Sequence, residues 1–204
     1  GPVGNVLDPT TNGDNTGPVT AVTVDPSDPS GNTVYIGAAS GGVWKTENFL
    51  TQDPNGPTWL PLTDLGPTDS LNINNIALIP RNNDPSRTII IVATGNAGTA
   101  SNATGTGGGS NGVGASGVGF LRSMDGGVTW QVLDSATNFD AAGNLLPMSS
   151  STRNHIFVGS TINKVVVDPT PRTDGNFAVY AAVNGGVAQR AARRTDRPRS
   201  GSRA

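Results

Sequence analysis

The 204-residue chain contains no cysteine, one histidine (His155), one glutamate (Glu47) and two lysines (Lys45 and Lys164). Without cysteine there is no disulfide framework, no thiol nucleophile and no thiolate metal site. A single histidine excludes a multi-histidine metal centre, and a surface or turn position is its simplest reading. Residues 1–188 carry seven basic and fourteen acidic side chains. That balance argues against nucleic acid as the main partner, because neutralising phosphates needs clustered Lys and Arg. The longest apolar run, residues 89–93, is far too short to cross a bilayer, so no membrane span is expected. No segment sustains a 3.6-residue apolar period, which leaves little room for helix.

What is present is turn chemistry around short apolar segments. Twenty-eight Gly and fifteen Pro punctuate runs of five to seven residues, the pattern of many short strands. The runs repeat. Residues 19–24 alternate and end in Asp25-Pro26; a turn leads to a second strand over 33–38 and a glycine-led third over 41–46. The same order returns at 73–79, with Asp84-Pro85 and 88–93, and resumes at 119–123 after a long insertion. A third copy begins at 162–167 with Asp168-Pro169, then 177–182 and Gly185-Gly186-Val187. Pro presets the backbone for type I turns at each Asp-Pro pair. Four antiparallel strands per unit, repeated along a chain, predict propeller-like blades.

Residues 123–130 have the form S-x-D-x-G-x-T-W. Ser123 closes one strand, Asp125 accepts from the backbone of its own turn, and Gly126 and Gly127 supply φ > 0. Thr129 and Trp130 open the next strand, and the indole packs beside the turn. A degenerate copy spans 46–59, with Thr46 and Asn48 in the S-x-D places and Gly56, Thr58 and Trp59 in the G-x-T-W places. Residues 49–55 are an insertion in that turn.

With these motifs, residues 18–188 resemble the Asp-box β-propellers, the sialidase, xyloglucanase and sortilin type of repeat. The resemblance implies an all-β fold: a β-propeller fragment of about two and a half four-stranded antiparallel blades, at 18–66, 67–135 and, in part, 155–188. It implies a non-catalytic repeat module of a secreted or cell-surface bacterial protein, presenting loops to a protein or carbohydrate partner. The rest of the parent propeller is then a further partner, lying outside this N-terminal fragment. The alternative it carries is the N-terminal part of a glycoside hydrolase whose catalytic residues lie elsewhere.

Catalysis within the chain itself is disfavoured residue by residue. A sialidase needs an arginine triad, a Tyr nucleophile backed by Glu and an Asp acid/base. Here the lone Glu47 falls in the degenerate turn, and Tyr35 and Tyr180 sit at equivalent places in apolar strands, which reads as core packing. The xyloglucanase pattern Tyr-x-x-x-Asp-x-Gly-Gly, aligned on Tyr35 and Gly41-Gly42, puts Ala39 where the Asp belongs. No catalytic or cofactor-binding residue is assigned. Asp25 with Asp28, or Asp168 with Asp174, could offer oxygens to calcium, but turn acceptance explains them more simply. Trp44 and Trp59 could stack on a sugar, although packing between units accounts for them as well.

Three segments differ in kind. Residues 1–17 read as an N-terminal extension. The Gly/Ser/Asn/Thr-rich stretch 95–118 reads as a flexible insertion. Residues 189–204 hold six arginines against one aspartate. They read as a basic disordered tail or, the reading favoured here, as the product of a frameshift or truncation that ended the third unit early.

Overall fold

A computed structural model describes residues 18–39, 41–63, 72–95, 117–170 and 177–184, together with the backbone of 186–192. The expected extension 1–17, nearly all of the insertion 95–118, Asp174 and most of the basic tail lie outside the described residues. Within them the chain is all-β: eleven strands and one 3₁₀ turn, Pro85–Arg87. The strands form three antiparallel sheets, none of them closed.

Sheet one is β1 (Val19–Val24), β2 (Val34–Ala38), β3 (Gly42–Thr46) and β4 (Leu60–Pro61), in that order. Sheet two is β5 (Ile73–Ile79), β6 (Ile89–Thr94), β7 (Phe120–Ser123) and β8 (Gln131–Leu133). Sheet three orders β9 (Ile162–Val167) beside β10 (Phe177–Val183) and β11 (Gly186–Ala192). β11 pairs along its whole length with β10, so the ladder runs past residue 188, where the sequence suggested that the repeat ended. Backbone pairing does not need the apolar alternation that is missing there.

The three ladders share one register. Ala21 faces Gly37, Asn75 faces Ala93 and Lys164 faces Ala182. Thr23 faces Tyr35, Ala77 faces Ile91 and Val166 faces Tyr180. Each first strand also skips one residue at the same place, leaving Thr20, Asn74 and Asn163 as bulges. A bulge twists the strand and re-aims one side chain, and here all three are polar.

Burial follows from the stacking of the sheets. β6 reads IIIVAT and is buried at every position, because sheet one covers one face of sheet two and sheet three covers the other. A strand covered on both faces needs a continuous apolar run, whereas β9 is covered on one face and alternates. One core slab holds Ala21, Tyr35, Val43, Ile73, Ile76, Ile90, Val92 and Leu121 between sheets one and two. The other holds Ile79, Ile89, Ile91, Ala93, Ile162, Val165, Val179 and Ala181 between sheets two and three.

The bulges fasten this stack. The Thr20 hydroxyl donates to the Ile73 carbonyl, and the Asn74 amide donates to the Ile162 carbonyl at 3.0 Å. In both cases the bulge of one sheet reaches the first residue of the next sheet's first strand. Gly37 is the point of closest approach: a Cβ built there would lie 2.4 Å from Ile73 Cγ2. One expectation needs correction. Tyr35 is fully buried, but Tyr180, its ladder equivalent, is 36% exposed. No described sheet follows sheet three to bury Tyr180 as sheet two buries Tyr35.

Candidate functional site

The two motif turns have the same local wiring. In the turn after β7, the Ser123 hydroxyl donates to Asp125 Oδ1 (2.8 Å) and accepts from the Asp125 N–H (3.3 Å). The Thr129 N–H donates to Asp125 Oδ1 at 2.9 Å. In the turn after β3, Thr46 donates to Asn48 Oδ1 (2.8 Å) and accepts from the Asn48 N–H (3.3 Å), and the Thr58 N–H reaches Asn48 Oδ1 at 2.9 Å. The insertion 49–55 leaves this wiring intact, because Asn32 holds the backbone of Phe49 and Leu50 through its carbonyl and its side chain.

The differences follow from the chemistry of Asp and Asn. The Thr129 hydroxyl donates to Asp125 Oδ2 at 2.6 Å. The matching atom of Asn48 is an amide nitrogen, which donates and cannot accept. Gly126 and Gly127 have φ of +66° and +101°, which a side chain would strain. Gly127 also donates to Ser123 Oγ at 2.8 Å. Burial alone would raise the Asp125 carboxyl. The hydroxyl and N–H of Thr129, with Ser123 and the Val128 N–H, outweigh it and hold the carboxyl below its ordinary value. Trp130 Nε1 donates between Gly127 O (3.0 Å) and Leu62 O (3.1 Å), so the turn of sheet two leans on the end of sheet one. Trp59 instead meets Phe49 edge-on at 6.4 Å.

The other expected candidates also resolve into turns and packing. Asp25 is buried and its Oδ1 accepts from the Ser27 N–H (2.8 Å) and lies 2.9 Å from the Thr88 hydroxyl. Its Oδ2 stands 3.4 Å from the Tyr35 hydroxyl. Burial, then the charge of Asp25, pushes the Tyr35 phenol well above its ordinary value. Asp28 accepts from Ser30 and from the Thr33 N–H, and these bonds hold its carboxyl well below the usual range. The Asp168 carboxylate accepts from the Thr170 N–H at 2.9 Å. Among the described residues no three His, Cys, Asp or Glu side chains gather as a metal site. Glu47 is exposed and pairs with Lys45 at 2.8 Å. Trp44 donates to Gly41 O at 2.6 Å.

Residues 134–160 form a clasp outside the repeat motifs. Asp134 is completely buried and takes Arg153 Nε at 2.9 Å, Arg153 Nη2, and His155 Nδ1. Arg153 also donates to Leu146 O (2.7 Å) and Val132 O (3.3 Å). Burial would raise the Asp134 carboxyl, but Arg153 and His155 outweigh it and keep it low. Removing either member of the buried Asp134–Arg153 pair strands a charge, a loss of about 3–5 kcal/mol. His155 occupies a turn, as expected, with φ of +48°. Ser135 and Asn154 exchange hydrogen bonds at 2.8 and 2.9 Å, and Phe157 meets Phe120 of β7 edge-on at 5.3 Å. This polar frame fixes an irregular loop that carries the exposed side chains Met148, Ile156 and Val158. The one signal in the sequence was the density of Asn, Asp and Ser over 134–154, which marks turns without telling which polar groups are buried.

No protein-family model matches the chain, and no curated protein matches it.

Proposed function

We propose that this chain is a non-catalytic module of the Asp-box β-propeller type, in which stacked four-stranded blades hold rigid loops out for a protein or glycan partner. The observation that carries this reading is the repeated stack: one ladder register, one bulge position and one bulge-to-backbone hydrogen bond, used from sheet one to two and again from two to three. Repetition of this kind is the physical basis of propellers and solenoids, where each unit buries its face on a neighbour. The carboxylates support the non-catalytic part. Asp25, Asp28, Asp53, Asp84, Asp125, Asp134, Asp140 and Asp168 all accept hydrogen bonds from nearby turn or clasp groups. A general acid or base must exchange its proton with substrate, and these carboxylates hold turn backbone or, at Asp134, the Arg153 and His155 side chains. Binding then falls to loops such as 145–158, set on a fixed scaffold with apolar side chains outward. A secreted or cell-surface setting, where such loops meet glycans and proteins, belongs to the same proposal.

The test pairs a printed glycan array with hydrolysis of aryl glycosides. The expected result is no turnover, and either saturable binding to a subset of glycans or a silent array that leaves a protein partner. Turnover abolished by changing one carboxylate to its amide would overturn the non-catalytic reading.

A further inference from the structure

Residues 49–55 lengthen the turn between β3 and β4, and the tip of that turn is Asp53-Pro54-Asn55-Gly56. The tip is a hydrogen-bonded reversal. The Gly56 N–H donates to Asp53 O at 2.9 Å, with Pro54 at the second position of the turn. The Asn55 N–H and the Asn55 side-chain amide both donate to Asp53 Oδ1, at 2.8 and 3.0 Å. Residues 52–55 are exposed, and a Cβ built on Gly56, whose φ is +76°, would meet nothing within 4 Å. Every hydrogen bond that residues 52–56 make ends within 51–56. The turn lies at the rim where β1 ends, whereas the chain enters and leaves sheet one at the opposite rim. The tip thus projects from a rim and not from an end face of the stack.

An Asn-Gly pair can attack itself. Bonding of the glycine nitrogen to the asparagine side-chain carbonyl carbon closes a five-membered ring, and glycine puts no side chain in the way. The ring forms only when the turn opens and frees the Gly56 N–H from Asp53 O. That opening breaks bonds confined to the tip, which places it at the low-stability end of local fluctuation. Asp125-Gly126 offers the same ring closure under opposite conditions. Ser123 and both donors of Thr129 occupy the Asp125 oxygens. The Gly126 N–H donates to Thr88 O at 3.1 Å, and a Cβ on Gly126 would lie 2.6 Å from Pro85 O. Freeing that nitrogen disturbs the packing of the whole turn on residues 85–88.

We propose that Asn55 is a site of spontaneous modification by water, converted in the folded protein to a mixture of aspartate and isoaspartate. Base removes the Gly56 amide proton, and the nitrogen bonds to the Asn55 side-chain carbonyl carbon. The bond from that carbon to Nδ2 breaks, and Nδ2 leaves as ammonia with the equivalent of the lost proton. Water then breaks one of the two carbonyl–nitrogen bonds of the cyclic imide. Cleavage at the former side-chain carbonyl gives aspartate; cleavage at the backbone carbonyl gives isoaspartate, with the chain running through the side-chain carbon. One water is consumed, one ammonia is released, and nothing is oxidised or reduced.

The product has a carboxylate where an amide donated to Asp53, so two negative groups face each other and the tip rearranges. The framework beneath it stands on other residues. Asn48 holds Thr46 and Thr58, and Asn32 holds Phe49 and Leu50. Conversion therefore adds one negative charge, and in the isoaspartate form one backbone carbon, to the rim without releasing the sheet. It is independent of any partner that the loops bind.

The test incubates the wild-type chain in mildly alkaline buffer, folded and in parallel unfolded in urea. Peptide mass spectrometry, with fragmentation that separates isoaspartate from aspartate, follows each site. Mapping resolves Asn55 from the other Asn-Gly pairs, which begin at Asn12, Asn111 and Asn184. Folding should slow conversion at Asn55 by less than about tenfold and isomerisation at Asp125 by more than about a hundredfold, each tenfold being about 1.4 kcal/mol of opening. The Asn55→Gln variant should yield no acidic product in that peptide, because the attack would need a six-membered ring. The purified converted protein should keep the urea midpoint of the unconverted one. Protection of Asn55 by more than about tenfold, or equal protection of Asn55 and Asp125, overturns the proposal. A lowered midpoint of the converted protein overturns the local character of the change.

Discussion

The interface between sheets one and two ends in polar groups, whereas the same end of the one between sheets two and three is aliphatic. At the first, Asp25, Ser27, Thr88 and Tyr35 form a buried cluster, and the Arg81 N–H donates to Ser27 Oγ at 2.9 Å. At the second, the equivalents of Asp25 and Tyr35 are Ile79 and Ile91, packed on Val165 and Val179. Both interfaces nevertheless keep the same register and the same bulge hydrogen bond. Stacking geometry is thus set by backbone pairing and the bulge, while the side chains at the end of each strand may be polar or apolar if every buried polar group finds a partner.

The largest expected effect separates the interfaces by space. Gly37→Val should cost about 3 kcal/mol, since even its Cβ collides with Ile73. The matched change Ala93→Gly at the second interface should cost only about 1 kcal/mol. Urea midpoints at constant m-value would read both.

Next comes the polar cluster. Asp25→Ala strands the buried Ser27 N–H and leaves the Thr88 hydroxyl only Ser27 Oγ, and should cost about 2–3 kcal/mol. Asp168→Ala, at the equivalent but half-exposed position of sheet three, should cost under about 0.5 kcal/mol. Equal losses in chemical denaturation would erase the distinction between a closed face and an open one.

The bulge bond is the element that the interfaces share. Asn74→Ala leaves the Ile162 carbonyl without its donor and should lower stability by about 1 kcal/mol. Thr20→Val, an isostere lacking the hydroxyl, should do the same at the other interface. Thermal unfolding of the two variants side by side would show whether the bulges contribute alike.

The smallest effect concerns the turns. Asp125→Asn removes the acceptor of the Thr129 hydroxyl and should cost about 1 kcal/mol at neutral pH, whereas Asn48→Asp should add about 0.5 kcal/mol. Because the folded carboxyl of Asp125 lies below its ordinary 3.8, its contribution is complete above that value and is lost as pH falls through the folded value. The stability difference between wild type and Asp125→Asn should therefore shrink below about pH 4. A difference that is constant from pH 7 to pH 2.5 would contradict this sign.

The strands were largely legible in the residues. Alternation at 19–24, 73–79 and 162–167, with Asp-Pro turns between, marked each first strand, and the unbroken run 89–93 marked a second strand, whose cover on both faces only the fold shows. The turn chemistry of 123–130 and 46–59 was legible too, since hydrogen bonds within a few residues depend on local sequence. The bulges were not. Thr20, Asn74 and Asn163 look like ordinary polar positions of alternating strands, and their role emerges only when one sheet lies upon another. The exposure of Tyr180 was hidden for the same reason: its strand resembles that of Tyr35, and only the neighbouring sheet distinguishes them. The Asp134–Arg153 pair joins residues nineteen apart through an irregular loop, which has no period to betray it.

Sheet one lies on sheet two at Gly37 and Ile73, and a double-mutant cycle probes that contact. Gly37→Ala introduces the methyl that collides with Ile73 Cγ2, and Ile73→Ala removes that atom. The double variant should be more stable than the sum of the single losses by at least about 1 kcal/mol, measured by urea unfolding. Additivity to within about 0.5 kcal/mol would mean that the two residues do not touch, and would contradict the stacked arrangement.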